Sequence, residues 1–300
     1  MQHLADPPHP NCPSQAQARI ALALHGSVSG LRLRASALLA SSRSVRLADF
    51  ANVSRTNHDL LTYLMEPSGG ASLFDTFIHS TVPSREVQSR MLSLYEPIAA
   101  RFDGSFARIW GAAEALQQVT ARASEQGRLG AGADLASRWR SAALVLGMVA
   151  EAERAMGRAY SKVVLTRPDI SLWRRIDLRR YCTDRVYVTH CFAPYFSPPC
   201  QADFHFVMTS TQARHFAKGA SSLLPMRLAR LPHNASKEKN DVLREYVREF
   251  VGVALVADHV VVGRHVEVLR KLHGSVAARA KLSAARTAAN DAHAAPGDLR

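Results

Sequence analysis

The segment Ala18-Arg19-Ile20-Ala21-Leu22-Ala23-Leu24 is short and almost uninterruptedly apolar, and it gives way at once to His25-Gly26-Ser27-Val28-Ser29-Gly30. A run bounded this tightly, without the polar alternation of a strand that has one wet face, reads as a strand covered on both sides in a parallel sheet. Lys162-Val163-Val164-Leu165-Thr166 has the same character and stops on Arg167-Pro168-Asp169. Pro168 cannot donate to a ladder and holds its neighbour extended, so Asp169 belongs at the strand's carboxyl end. In open parallel sheets that end is where ligands bind.

The rest of the chain alternates in kind. Residues 31–64 carry helical periodicity and close on Pro67-Ser68-Gly69-Gly70; Ser72 to Ser80 is aromatic and β-rich. Short helices are expected over 86–98 and 106–128. A long one is expected from Asp134, as N-cap, to Tyr160, with Leu135, Trp139, Ala142, Ala143, Leu146, Val149 and Ala150 along one face. Strands follow at 185–189, 202–208 and 254–262, with helices at 212–223 and 237–251. Strands alternating with helices predict an α/β fold: a single Rossmann-like domain over 18–274, with a mostly parallel central sheet flanked by helices. Flexible tails are expected at 1–17 and at the alanine-rich, basic 275–300.

Composition narrows the function classes. With 47% hydrophobic residues in 300, the chain can bury a full core. Its formal charge of +13 attracts polyanions, whether nucleic acid, acidic lipid or the phosphates of a small ligand. Four cysteines without a C-x-x-C pair predict a reducing, cytoplasmic setting. The even spacing of Cys182, Cys191 and Cys200, with His190 and His205, invites a zinc reading, but close ligand pairs are missing. No apolar run is long enough for a membrane helix, and Met1 to Ser14 is polar and proline-rich, unlike a cleaved signal.

The sequence contains no G-x-G-x-x-G, no G-x-x-x-x-G-K-[ST], no G-x-S-x-G and no H-E-x-x-H, which weighs against dehydrogenase, P-loop and esterase readings. The loop holding Gly26, Ser27 and Gly30 could accept a phosphate or a nucleotide, and a plain strand-to-helix turn would look the same. Three polar pairs lie in or after apolar strands: Asp75 with His79, Arg167 with Asp169, and Asp203 with His205. Burying such groups is costly unless they are paired or bind a ligand. For Arg167 and Asp169 a structural ion pair is the alternative.

The order of these segments is similar to that of a known family. Leu73-Phe74-Asp75-Thr76-Phe77-Ile78-His79-Ser80, then Tyr160 to Ile170 with its R-P-D turn, then Ala202-Asp203-Phe204-His205-Phe206-Val207-Met208, resemble the GT-A-type glycosyltransferases of capsule, glycan and algal surface-polysaccharide pathways. The resemblance spans Ala18 to Val262 and implies a nucleotide-sugar donor and a glycan or other hydroxyl acceptor. It implies that Asp169 holds Mn²⁺ or Mg²⁺ against the diphosphate, with Arg167 as a fixed cation. Gly26, Ser27, Gly30 and Asp75 would line the donor site, and Asp169 and Asp203 would be the catalytic carboxylates, with Asp203 as base or as a carboxylate of the acceptor site. The chain departs from the family pattern at Leu165, where an arginine is usual, at Met208, and in having no D-x-D. An inactive relative that binds a glycan or a partner, and a basic nucleic-acid module, remain open, the latter on Trp173-Arg174-Arg175 and Arg179-Arg180-Tyr181.

Overall fold

In the computed structural model, the described residues are 19–26, 53–81, 84–103, 131–172, 174–191, 201–221, 223–224, 227, 236–262 and 266–268. Strand β1 (Ile20–Gly26) explains its own composition. Ile20, Leu22 and Leu24 point into one core and Ala21 and Ala23 into another, so positions 20–24 are all apolar because both faces are covered. The same division holds in β2 (Phe74–Ser80), where Phe74 and Ile78 oppose Phe77, and in β4 (Lys162–Thr166), where Val164 opposes Val163 and Leu165.

The other strands are β3 (Ala99–Phe102), β5 (Ile170–Leu172), β6 (Arg185–Cys191), β7 (Gln201–Met208), β8 (Ala254–Val262) and β9 (Val266–Val268). They form one mixed sheet in the order β3-β2-β1-β4-β7-β6-β8-β9-β5. Pairings β3·β2, β2·β1, β1·β4, β6·β8 and β8·β9 are parallel. Strand β7 runs antiparallel to both β4 and β6, and β5 antiparallel to β9. The fold is therefore α/β with a mostly parallel, mixed sheet, and the strand read at 202–208 is the one that reverses.

Helices cover both faces. On one lie helix α1, described over 53–60 and running into the π-helical turn Leu61–Met65, and α2 (Arg85–Tyr95), contributing Val53, Leu60, Leu64, Val87 and Met91. On the other lie α3 (Ala131–Met156), α4 (Ser210–Ala220) and α5 (Ser236–Phe250), contributing Trp139, Leu146, Val149, Phe216 and Tyr246. Trp139 meets Phe206 edge-on at 6.1 Å and Phe216 at 5.9 Å, which locks α3, β7 and α4 together. Asp134 falls inside α3, which is already helical at Ala131, and so is not its N-cap. Helix α4 starts earlier than its apolar pattern because Thr209 and Gln212 form a reciprocal capping box.

Polar tethers fix α1 to the chain that follows β4. Thr56 donates to the Ile170 carbonyl at 2.6 Å, and Asp59 accepts from the Ser171 hydroxyl at 2.6 Å and the Leu172 N–H at 3.2 Å. Ser68 donates to the Ile176 carbonyl and accepts from the Leu178 N–H.

Cys182 is disulfide-bonded. Among the described residues no helix is long and apolar enough to cross a membrane. The helix expected over 106–128 and both tails lie outside the described residues.

Phe206 is fully buried between Trp139 and Phe216. Phe206→Ala should lower unfolding stability by about 3–5 kcal/mol, read as a shifted urea midpoint with an unchanged slope.

Candidate functional site at the carboxyl edge of the sheet

Strand β1 has β2 on one side and β4 on the other, so the strand order reverses between β1 and β4. In open α/β sheets the crevice outside the carboxyl ends at such a reversal is where ligands bind. Leu24 pairs with Thr166, which sets Gly26 and the Arg167-Pro168-Asp169 turn on either side of that crevice. Because β7 is antiparallel, its beginning comes to the same edge, with His205 opposite Thr166. Val188 pairs with Phe206 but Thr189 with Ala202, so Asp203 to His205 fall within an irregularity of the β6·β7 ladder. Such bulges re-aim side chains beside functional sites.

A belt of hydrogen bonds runs along the edge of β1, β2 and β3. Ser141, on α3 and only 1% exposed, is its hub. Its hydroxyl oxygen accepts from the Gly26 N–H at 2.8 Å, lies 2.7 Å from Nδ1 of His79, and is 3.0 Å from the His79 carbonyl. His79 Nε2 lies 2.8 Å from Asp103, which also accepts from Arg101 at 3.1 Å. The Asp103 N–H donates to the Ser80 carbonyl, and the Ser80 hydroxyl donates to the Gly26 carbonyl at 2.7 Å. His25 stands beside His79 in the β1·β2 register.

Burial lowers the His79 pKa, and Asp103 only partly offsets this, while the charges of Arg101 and Arg140 push the same way as burial. The neutral ring then donates from Nε2 to Asp103 and accepts at Nδ1 from Ser141. Burial raises the Asp103 pKa, but hydrogen bonds from His79 and Arg101 outweigh it and hold the carboxyl below its ordinary value. Serine, histidine and aspartate in a chain have the composition of a hydrolase triad. Here the serine oxygen is buried and already accepts a backbone N–H, so no acyl group can reach it.

Arg167 and Asp169 close on each other. The guanidinium donates from Nε and Nη2 to the two carboxylate oxygens, both at 2.7 Å, with 5% and 0% side-chain exposure. Both oxygens of Asp169 thus accept from a cation of the chain itself. Among the described residues no three His, Cys, Asp or Glu side chains gather as ligands. Asp169 and Arg167 form a buried ion pair, the alternative expected for this turn.

Asp75 stands apart. It lies at the opposite edge of the sheet from Gly26, near the start of β2, where Arg19 donates to it from Nε at 2.7 Å and also from Nη2, and Tyr160 from its hydroxyl at 2.9 Å. Burial raises its pKa, but these donors outweigh burial and lower it. Four residues of strand separate it from His79 by about 13 Å. Gly26, Arg167, Asp169 and the backbone of Asp203 therefore share one edge, and Asp75, expected with them, does not. Ser27 and Gly30 lie outside the described residues, as does the Asp203 side chain. Ser141 and Asp103 were not legible as site residues. Only His79, a polar residue inside an apolar strand, marked the network they complete.

Compared with protein-family models and with curated proteins, the chain matches none.

Asp169→Asn leaves Arg167 buried without its counter-ion and should cost about 3–5 kcal/mol of stability, whereas Arg167→Met with Asp169→Leu together should cost less than Asp169→Asn alone. Urea titration of the three variants and the parent reads this directly.

Stability should also fall with acid in two stages. The folded-state pKa of His79 lies below its ordinary value, so its contribution is complete above about 6.5 and is lost as pH falls below that. Asp75 and Asp103, whose folded pKa values are lowered too, contribute fully above about 4 and lose that contribution as pH falls through the folded values. Denaturant midpoints measured across pH 3–8 should show both declines, and His79→Gln should remove the upper one.

Proposed function

We propose that the protein is a nucleotide-sugar-dependent glycosyltransferase whose donor lies in the crevice outside β1 and β4. The observation that carries the reading is convergence. Gly26 at the end of β1, the R-P-D turn after β4 and the irregular start of β7 with Asp203 meet at one strand-order reversal. They come from three separated parts of the chain, and each belongs to a segment on which the family resemblance rests.

The reaction is transfer of a glycosyl group. An acceptor hydroxyl attacks the anomeric carbon, the bond from that carbon to the diphosphate oxygen breaks, the hydroxyl proton passes to Asp203, and a nucleoside diphosphate leaves. The leaving diphosphate gains charge, and cations near the edge offset it. Arg140, whose charge acts on His79, is the candidate among the described residues, since Arg101 is paired with Asp103. Arg167 is committed to Asp169 and is assigned to the turn instead.

Two further observations weigh on the alternatives. Leu165, which stands where the resembling family has an arginine, is fully buried in the core, and this favours a relative that binds a donor or a glycan without turnover. The nucleic-acid reading loses one of its aromatics, because Tyr181 is buried edge-on against Tyr187 at 4.8 Å.

Calorimetric titration of UDP, GDP and CDP, each with and without Mn²⁺, tests the reading. One of the three should bind, and Asp203→Asn should keep that binding while slowing sugar transfer by roughly 10²–10⁴-fold. If none binds, the transferase assignment is wrong. Binding without turnover in the parent protein selects the inactive relative.

A further inference from the structure

We infer that Cys182 is joined to Cys12, so that a disulfide ties the chain ahead of β1 to the chain ahead of β6. The bond belongs to the amino edge of the sheet and does not depend on a nucleotide binding at the carboxyl edge.

The position of Cys182 decides its partner. It is disulfide-bonded, and the sequence holds three other cysteines, Cys12, Cys191 and Cys200. The Cys182 N–H donates to the Tyr187 hydroxyl at 3.1 Å, and the ring of the preceding Tyr181 meets Tyr187 edge-on at 4.8 Å. The carbonyl of the following Thr183 accepts from the Gln212 side chain at 2.8 Å. Gln212 lies in the first turn of α4, just beyond Met208, the last residue of β7. Cys182 is therefore held, through its own peptide and both neighbours, at the end of the ladder where β6 begins and β7 finishes.

Cys191 and Cys200 belong to the other end. Cys191 is the last residue of β6, and Cys200 directly precedes Gln201, the first residue of β7, which pairs with His190. The seven residues of β6 span about 20 Å, and even from Tyr187 to Cys191 the strand covers about 13 Å. The Cα atoms of a disulfide lie within about 7 Å of each other. Neither cysteine meets that limit.

Cys12 can reach. Strand β7 is antiparallel to both β4 and β6, and β1 is parallel to β4, so β1 and β6 start at the same edge. β1, β4, β7 and β6 are successive neighbours, which puts β1 and β6 three strand spacings, about 14 Å, apart. The seven steps of chain from Cys12 to Arg19 extend to about 24 Å. The bond forms by exchange with a disulfide oxidant such as oxidised glutathione: one cysteine thiolate displaces the first glutathione, and the other cysteine thiolate displaces the second. The two cysteines lose two electrons and two protons, and the oxidant leaves as two thiols. The loop so closed contains β1 to β5, and closing a loop of that length restricts the unfolded chain.

Trypsin separates the possibilities. Cys12 falls on the peptide that ends at Arg19, Cys182 on 181–185, and Cys191 and Cys200 together on 186–214. The protein is equilibrated with oxidised and reduced glutathione, blocked with iodoacetamide, digested without reductant and mapped by mass spectrometry. Peptide 181–185 should appear linked to the Cys12 peptide, and the link should vanish in Cys12→Ser but persist in Cys191→Ser and Cys200→Ser. Reduction should lower the urea midpoint of the parent, and oxidised Cys12→Ser should already stand at that lower value. Peptide 181–185 linked to 186–214, linked to a second copy of itself, or recovered alkylated from the oxidised parent overturns the pairing. So does an oxidised Cys12→Ser whose midpoint equals that of the oxidised parent.

Discussion

The buried ion pair between Arg167 and Asp169 is the contact on which the carboxyl edge depends. Taking either charge out of water alone would be prohibitive, and the two together are tolerable only because the guanidinium meets both carboxylate oxygens at 2.7 Å. Pro168 between them supplies the rigid turn that brings the two side chains face to face. With the charges neutralised, the end of β4 can be covered by apolar neighbours, and the chain can pass beneath α1. There Thr56, Asp59 and Ser68 receive its polar groups. The sheet then gains β5 at its far edge, next to β9. Remove one partner and the route from β4 to β5 has an uncompensated buried charge in the middle of it.

Strand β2 shows the same constraint at both ends. Asp75 and His79 lie on one face, at opposite edges, and each is satisfied by partners from distant parts of the chain: Arg19 and Tyr160 for the first, Ser141 and Asp103 for the second. A strand covered on both faces can hold polar residues only where such partners reach. A polar residue in an apolar run is therefore a sign that a network exists. It does not say whether that network faces a ligand, because the edge decides this and the edge follows from strand direction.

That is also the boundary of what was legible in the sequence. β1, β2, β4, β6 and β8, and helices α3 and α5, could be read because long apolar or periodic stretches mark them. β3 reads as nothing in particular, since Ala99-Ala100-Arg101-Phe102 is short and its middle exposed, and β5 and β9 have only three residues each. The antiparallel course of β7 was hidden because a both-sided apolar pattern carries no direction. In the site, Gly26 and the R-P-D turn were visible as chain-breaking residues after apolar strands. The closure of Arg167 on Asp169 was visible only as an alternative to metal binding. Ser141 could not be found, because a serine within an apolar helical stretch looks like any other until the register beneath it is known.

The carboxyl edge already has most of its hydrogen bonds made. Gly26, His79, Ser80, Asp103 and Ser141 satisfy one another, and Arg167 satisfies Asp169. Such an edge is a rigid floor rather than a set of open ligating groups, which suits a site that must hold geometry through a reaction.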